Sequence, residues 1–186
     1  MLSFRLSREA RPAHLSWILT KTFVQTIVFW TVFLFGAPWA VFQLEEALDL
    51  SNHRFASPTY RVLGLAVFAM MGSLGLVSCY FLAAKGRGTP VPFDSPPRLV
   101  IAGPYRYVRN PMVLSALAQG FAVGLYLGSP LTIAYVAVGS AIGETVIRRW
   151  EEADLERRFG EAYRIYRQHV GRWIPRLRPY RSEAPQ

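Results

Sequence analysis

Three long uncharged runs constrain this chain more than any other feature of its sequence. Thr22–Leu44 and Val62–Ala84 each contain 23 consecutive residues without a charged side chain. A helix of that length spans roughly 34 Å, which is enough to cross a hydrocarbon core of about 30 Å. The third run, Asn110–Gly143, has 34 residues and is too long for one crossing. The three runs together predict an integral membrane protein.

The third run carries a turn signal near its middle. Gly128–Pro130, with the sequence GSP, places a glycine and a proline where a helix would have to stop. We therefore expect a tight helical hairpin, with helices at about Met112–Leu127 and Leu131–Ile147. With spans at about 22–44 and 62–84, the sequence predicts an all-α integral membrane fold with four transmembrane helices.

The predicted spans leave two further segments in a single domain of residues 1–186. Residues 1–21 are expected to form a cytoplasmic or interfacial N-terminus. The tail, residues 148–180, is expected to resume as helices and to form a cytoplasmic cap. In the tail, Glu144, Arg148 and Glu152 follow i, i+4 spacing and are expected to pair with one another, while Gly160 ends or kinks the helix.

The charges follow the predicted spans. The net charge is +9, and its cations flank the apolar runs, whereas the first connection carries Glu45, Glu46 and Asp49. The positive-inside rule then places both termini in the cytoplasm. The charge pattern favours a membrane of the bacterial inner-membrane type, and the endoplasmic reticulum stays open as the alternative. Contact with anionic membrane lipid explains the basic face, and we expect no nucleic acid partner.

Cysteine and histidine do not indicate a metal or redox site. The single Cys79 lies within the second predicted span, so it cannot form an intramolecular disulfide. The three histidines, His14, His53 and His169, share no spacing typical of metal ligands. We expect no metal site.

Three polar clusters lie at the ends of the predicted spans, on one side of the membrane. They are the glycines of the Gly86–Gly88 loop, the decapeptide GPYRYVRNPM at Gly103–Met112, and the acidic pair Glu151–Glu152. The hairpin brings the second and third clusters together. Carboxylates suit an ammonium group, and Arg109 suits a carboxylate or phosphate, so the set suits a zwitterionic ligand.

These residues also carry a family resemblance. The segment KGRGTPVPFDSPPRLVIAGPYRYVRNPM, followed by RRWEEADLERRFGEAYRIYRQHVGRWIPR, resembles the isoprenylcysteine carboxyl methyltransferase and phospholipid methyltransferase group of integral membrane enzymes. The resemblance covers about Lys85 to Arg178. It implies a methyltransferase that uses S-adenosylmethionine as its cofactor, and a lipophilic or amphiphilic small-molecule acceptor that enters from the bilayer.

The resemblance also implies roles for particular residues. The family's Arg-His-Pro signature falls on Arg109, Asn110 and Pro111, and its paired acids fall on Glu151 and Glu152. Arg109 and Glu152 are the implied catalytic residues. The implied cofactor-binding residues are Gly86, Gly88, Tyr105, Tyr107, Asn110, Glu151 and Glu152.

Two departures from the family pattern bear on the substrate. Asn110 stands in place of the usual histidine and cannot act as a titrating base. His169-Val170-Gly171 stands where an Arg-Val-Pro run is common, so the acceptor need not be a prenylated cysteine carboxylate. The sequence fixes neither the acceptor, nor the methylated atom, nor the oligomeric state.

Simpler interpretations remain open for each cluster. Arg106 and Arg109 would also serve as topology determinants, and Tyr105 and Tyr107 as interfacial belt residues. Glu151–Glu152 would also suit a solvated helix face, and the two glycines a turn. The alternative functions are a catalytically silent membrane scaffold and a small transporter subunit.

Overall fold

The structure, a computed structural model, describes residues 8–55, 57–91 and 94–181. Within these ranges the chain is helical apart from its connections, and the only β pairing is one isolated bridge between Glu9 and Ser95. The predicted all-helical class is therefore confirmed. The first seven residues of the predicted N-terminal segment lie outside the described residues. So do Pro92 and Phe93 of residues 89–102, a segment before the decapeptide that we call the proline-rich loop.

Four helices organise the described part of the chain. They are α1 (Leu15–Ala47), α2 (Pro58–Gly86), α3 (Pro111–Leu127) and α4 (Pro130–His169). Three of them, α1, α2 and α4, are long and apolar enough to cross a membrane, whereas α3 is apolar but has only 17 residues. A π-helical turn interrupts α1 at Thr31–Gly36, and another interrupts α4 at Gly143–Ile147.

The helix boundaries differ in two places from the expected ones. The first helix begins at Leu15, seven residues before the predicted span, so part of the expected interfacial segment continues directly into the span. The fourth helix continues through Ile147 into the tail instead of stopping there. Gly160 kinks α4 as predicted, with φ 53° and ψ −128°, a conformation that only glycine adopts readily.

The hairpin between α3 and α4 is built by its turn residues. Gly128 takes a left-handed conformation with φ 63°, which ends α3. Ser129 then caps α4, because its side-chain oxygen accepts a hydrogen bond of 2.9 Å from the Thr132 backbone N–H. Pro130 occupies the first position of α4, where a missing N–H costs nothing.

Small residues let α2 and α3 pack closely along their length. A Cβ added at Gly64 would lie 2.7 Å from the Ala122 carbonyl oxygen, and one at Gly75 would lie 2.6 Å from the Ser115 hydroxyl. The Ser115 hydroxyl also donates a 2.5 Å hydrogen bond to the Met71 carbonyl on α2. Close backbone approach through small residues is the usual way in which membrane helices associate.

A buried carboxylate fastens the end of α1 to the hairpin turn. Glu45 is 2% exposed. It accepts hydrogen bonds from Arg54 Nε at 2.9 Å, from the Ser129 hydroxyl at 2.6 Å and from the Leu131 backbone N–H at 3.0 Å. We call these four residues the far-end network, because they lie at the opposite end of the helices from the predicted polar clusters.

The chain reverses after α4 and returns along the decapeptide. Residues 171–181, here called the C-terminal strap, form three backbone hydrogen bonds with it: Arg109 N–H to Gly171 O at 2.8 Å, Arg176 N–H to Tyr107 O at 2.9 Å, and Tyr180 N–H to Arg106 O at 2.8 Å. A buried cluster of Tyr163, Tyr166 and Val170 on α4 supports this strap.

Candidate functional site

Asn110 connects the start of α3 to the acidic pair on α4. It is the N-cap of α3, because its side-chain oxygen accepts a 3.3 Å hydrogen bond from the Val113 backbone N–H. Its side-chain nitrogen donates to the Glu151 carboxylate, at 3.3 Å and 3.4 Å from the two oxygens. Asn110 therefore orients Glu151, with both of its polar atoms in use.

Arg109 makes the second link between the decapeptide and α4. Its Nη1 atom donates to Glu152 Oε1 at 3.1 Å and to the Tyr163 hydroxyl at 3.2 Å. The side chains of Arg109 and Glu152 are 13% and 15% exposed. The structure thus brings Arg109 and Asn110 together with Glu151 and Glu152, although they are more than 40 residues apart in sequence.

Arg172, on the C-terminal strap, completes the arrangement. It is 10% exposed, and it lies within salt-bridge distance of three carboxylates: 3.2 Å from Glu151, 3.4 Å from Glu144 and 3.6 Å from Glu152. No motif or family signature in the sequence points to this residue. Its spacing gives no signal, because the contact depends on the chain reversal that pairs Gly171 with Arg109.

The central face of α4 supplies the rest of the site. Arg148 lies 2.9 Å from Glu144 and 3.8 Å from Glu152, which confirms the predicted i, i+4 pairing. The indole nitrogen of Trp173 donates to Glu144 at 3.1 Å. We call the six charged residues the Arg/Glu cluster: Arg109, Arg148, Arg172, Glu144, Glu151 and Glu152.

The Arg/Glu cluster is balanced in charge but incomplete in hydrogen bonding. Its three guanidinium groups face three carboxylates. Yet the Nε–H group of Arg109 is buried and has no hydrogen-bond acceptor among the described residues, and that of Arg172 lies 3.4 Å from Glu144 Oε2 without hydrogen-bond geometry. A buried unpaired donor costs about 1–3 kcal/mol, so an added anionic group would be stabilised here. The cluster therefore suits a ligand that carries both a carboxylate and a cationic group.

The two predicted tyrosines lie in different surroundings. Tyr105 is 7% exposed, and its carbonyl oxygen accepts a 2.6 Å hydrogen bond from the Tyr166 hydroxyl. Burial raises the pKa of the Tyr105 phenol well above its usual value, so this side chain stays neutral. Tyr107 is 40% exposed and lines a cleft on the other side of the decapeptide turn. Tyr105 is thus part of the core, and Tyr107 faces a separate cavity.

The two predicted glycines are covered by the proline-rich loop. A Cβ at Gly86 would lie 2.8 Å from Pro96 Cβ, and one at Gly88 would lie 2.5 Å from Pro96 N. Arg158 on α4 donates a hydrogen bond to the Pro96 carbonyl oxygen, so this loop also contacts α4. The close approach that these glycines permit is to the protein's own backbone, and their role toward a cofactor stays a prediction.

Comparison of the sequence with known protein families identifies the family to which the chain belongs. A family model described as phospholipid methyltransferase matches residues 59–162, more than half of the chain. The match includes all of the predicted site residues and ends before Arg172. No curated protein matches the chain. The chain belongs to the phospholipid methyltransferase family, within the isoprenylcysteine carboxyl methyltransferase-like group of membrane methyltransferases, which confirms the resemblance.

Proposed function

We propose that this family member transfers a methyl group from S-adenosylmethionine to a lipophilic or amphiphilic acceptor at the cytoplasmic face of a membrane. The observation that carries the proposal is the convergence of Arg109 and Arg172 on Glu151 and Glu152, at 3.1–3.6 Å. Family membership supplies the reaction type, and the cluster supplies a place for a charged methyl donor.

The proposed membrane placement has four spans, with α3 and α4 crossing as a hairpin. The far-end network and the Arg/Glu cluster lie at opposite ends of these helices, so one network belongs to each side of the bilayer. The positive-inside rule favours a cytoplasmic location for the arginine-rich end. Both termini are then cytoplasmic, and the tail beyond Ile147 caps the site. A membrane of the bacterial inner-membrane type suits this arrangement.

The residues of the cluster fit the charged part of S-adenosylmethionine. Its carboxylate would accept a hydrogen bond from the buried Nε–H of Arg109, which has no acceptor among the described residues, and would give Arg172 a further anionic contact. Its ammonium and sulfonium groups would lie near Glu151 and Glu152, replacing arginine contacts of 3.1–3.6 Å. Binding then exchanges one set of ion pairs for another and leaves few buried charges unpaired.

When bound, the cofactor supplies an electrophilic methyl carbon, and the residues of this chain need only bind, orient and shield the reactants. Arg109 orients the donor or an anionic acceptor, and Asn110 fixes Glu151 by its hydrogen bonds. A carboxylate acceptor requires no base. For an amine acceptor, Glu151 and Glu152 are the nearest groups able to take up a proton, because the Asn110 amide cannot.

Calorimetric titration with S-adenosylhomocysteine tests the proposal. We expect the wild-type protein to bind it, and Arg109→Ala and Glu152→Gln to bind it about 10- to 100-fold more weakly, because each loses a charged hydrogen bond of about 1.5–3 kcal/mol. Glu156→Gln is the matched control, since Glu156 lies one turn further along α4 and pairs with Arg164 and Arg167 outside the cluster.

Turnover provides the second measurement. Membrane lipid extracts incubated with the protein and an isotopically labelled methyl donor should yield a labelled product that is absent in the Glu152→Gln reaction. If the folded wild-type protein binds no S-adenosylhomocysteine, the result favours a silent scaffold or a small transporter subunit, and proton-coupled flux in liposomes would identify the transporter. If Arg109→Ala and Glu152→Gln bind as tightly as Glu156→Gln, the donor site lies elsewhere.

A further inference from the structure

A second cavity lies beside the C-terminal strap. This cleft of about 630 Å³ is bounded by the end of α2, by the decapeptide turn and by the last residues of the strap. Its lining includes Phe81, Ile101, Arg106, Tyr107, Tyr180 and Arg181. No residue of the Arg/Glu cluster lines it. The cleft is therefore separate from the proposed donor site.

Arginines give the cleft a positive charge, and no acid is among its described lining residues. Arg106 and Arg181 line it, and the Arg176 guanidinium lies over the Tyr180 ring, 5.9 Å from the ring centroid. In the described part of the chain, no carboxylate lies within 4.0 Å of the charged groups of these three arginines. This contrasts with the Arg/Glu cluster, where every arginine is paired.

Arg106 in the lining of the cleft, and Arg176 behind Tyr180, have hydrogen-bonding capacity to spare. Arg106 uses its Nε atom to donate to the Tyr180 carbonyl at 2.8 Å, which leaves its terminal nitrogens for another acceptor. The Nη1 atom of Arg176 is buried and has no acceptor among the described residues. Guanidinium donors beside a cavity favour an anion with several oxygens, such as a phosphate, which arginine binds in a bidentate manner.

The surroundings of the cleft favour a membrane lipid as the source of such an anion. Phe81 lies near the end of the spanning helix α2, five residues before Gly86. The strap exposes Ile174 and Leu177, at 81% and 100%, between its arginines. Exposed apolar side chains alternating with cations are typical of a segment that lies in the membrane interface.

We propose that this cleft holds the headgroup of an anionic phospholipid as a resident lipid of the protein. Arg106 and Arg181 contact the phosphate, and Phe81 and Ile101 contact the glycerol and the first part of an acyl chain. The lipid ties the strap to the bilayer surface and is not the methyl acceptor, because the cleft shares no lining residue with the Arg/Glu cluster. The inference depends on membrane insertion but not on methyl transfer.

Native mass spectrometry of the full-length, delipidated protein mixed with dioleoyl phosphatidylglycerol tests this proposal. We expect the wild-type protein to retain one lipid molecule. An Arg106→Gln, Arg181→Gln double variant should bind it about thirtyfold more weakly, from a loss of two cations that each favour an anionic lipid. Arg149→Gln is the control for non-specific attraction, since it removes an exposed cation of α4 outside the cleft and should retain the lipid.

Single variants distinguish misfolding from loss of lipid binding, and a competition experiment identifies the source of the phosphate. Arg106→Lys keeps the charge, and Arg181→Gln alone changes an exposed residue at the end of the strap. Both single variants should therefore fold even if the double variant does not. Both should bind the lipid more weakly than wild type. Inorganic phosphate at millimolar concentration should not displace the lipid. Equal lipid retention by wild type, Arg181→Gln and the double variant would overturn the proposal. Displacement by inorganic phosphate, or transfer of a labelled methyl group to the retained lipid, would overturn the resident-lipid assignment.

Discussion

The two ends of this helical protein each carry a partly buried ionic network, and they differ in how completely it is hydrogen-bonded. In the far-end network, both oxygens of Glu45 accept hydrogen bonds, at 2.6–3.0 Å. In the Arg/Glu cluster, Arg109 keeps a buried Nε–H without an acceptor among the described residues, and the Nε–H of Arg172 faces Glu144 without hydrogen-bond geometry. A complete network of this kind stabilises a fold, whereas an incomplete one leaves capacity for a ligand.

Glu45→Ala should give the largest change in stability. It leaves Arg54, 16% exposed, without its buried partner and removes an acceptor from Ser129 and Leu131. Arg54 keeps Glu46 and the Phe42 carbonyl as partners, so the expected loss comes from the buried donors on Ser129 and Leu131. We expect it to be about 1–3 kcal/mol in the free energy of unfolding, seen as a lower melting temperature in detergent micelles. Below that temperature, affinity for S-adenosylhomocysteine should not change, because the Arg/Glu cluster lies at the other end.

Glu46→Ala is the matched control for Glu45→Ala. Glu46 pairs with the same Arg54, at 3.2 Å, but its side chain is 55% exposed. Its removal should cost less than about 1 kcal/mol. Equal losses from the two variants would contradict a structural role for burial of Glu45, and weaker ligand binding in folded Glu45→Ala would contradict the independence of the two ends.

Arg172→Gln should give the reverse result. We expect S-adenosylhomocysteine affinity to fall about 10- to 100-fold, because a charged hydrogen-bond donor to the ligand is lost, while the melting temperature changes little. Of the three glutamates that Arg172 contacts, Glu144 and Glu152 keep arginine partners, and Glu151 keeps its hydrogen bonds from the Asn110 amide. The two measurements are calorimetry and thermal unfolding, with Arg167→Gln as a control on an exposed arginine of α4. A gain in affinity would show that Arg172 competes with the ligand instead of binding it.

Substitution of Asn110 separates capping from ligand binding and should have the smallest effects. Asn110→Ala removes the N-cap of α3 and should cost about 1 kcal/mol of stability, whereas Asn110→Ser keeps a capping oxygen. The serine side chain does not reach Glu151, so we expect both variants to bind S-adenosylhomocysteine several-fold more weakly. If Asn110→Ser binds as tightly as wild type, the hydrogen bond to Glu151 does not orient the site.

Local signals were sufficient to predict most of the helical framework. Uncharged runs identified the apolar helices, the GSP triplet identified the hairpin turn, and Gly160 identified the kink in α4. Each of these features depends on residues that are close in sequence. Where the first helix begins was not predictable in this way, because a single Lys21 does not stop a helix.

The candidate site was predictable only where a local element carried its residues. The hairpin explains why Arg109 and Asn110 meet Glu151 and Glu152. Arg172 reaches the same carboxylates through backbone pairing of the strap, which no sequence spacing reveals.

Long-range contacts also decided features that composition could not. In the sequence, Glu45 is only one of three acids in the connection between the first two predicted spans. In the structure it is buried against the hairpin turn, where it accepts a hydrogen bond from Ser129, 84 residues away. The family resemblance predicts that Gly86 and Gly88 bind the cofactor, but Pro96 of the proline-rich loop lies against both glycines.

The short hairpin has a consequence for the thickness of the surrounding bilayer. The 17 residues of α3 span about 26 Å, and a similar rise separates Leu131 from Arg148 along α4. An average hydrocarbon core is about 30 Å thick, so in the proposed four-span placement the lipid beside the hairpin thins locally, while the longer α1 and α2 tilt or extend beyond the core. The proposed placement therefore predicts a bilayer that is thinner on the hairpin side of the protein than on the side of α1.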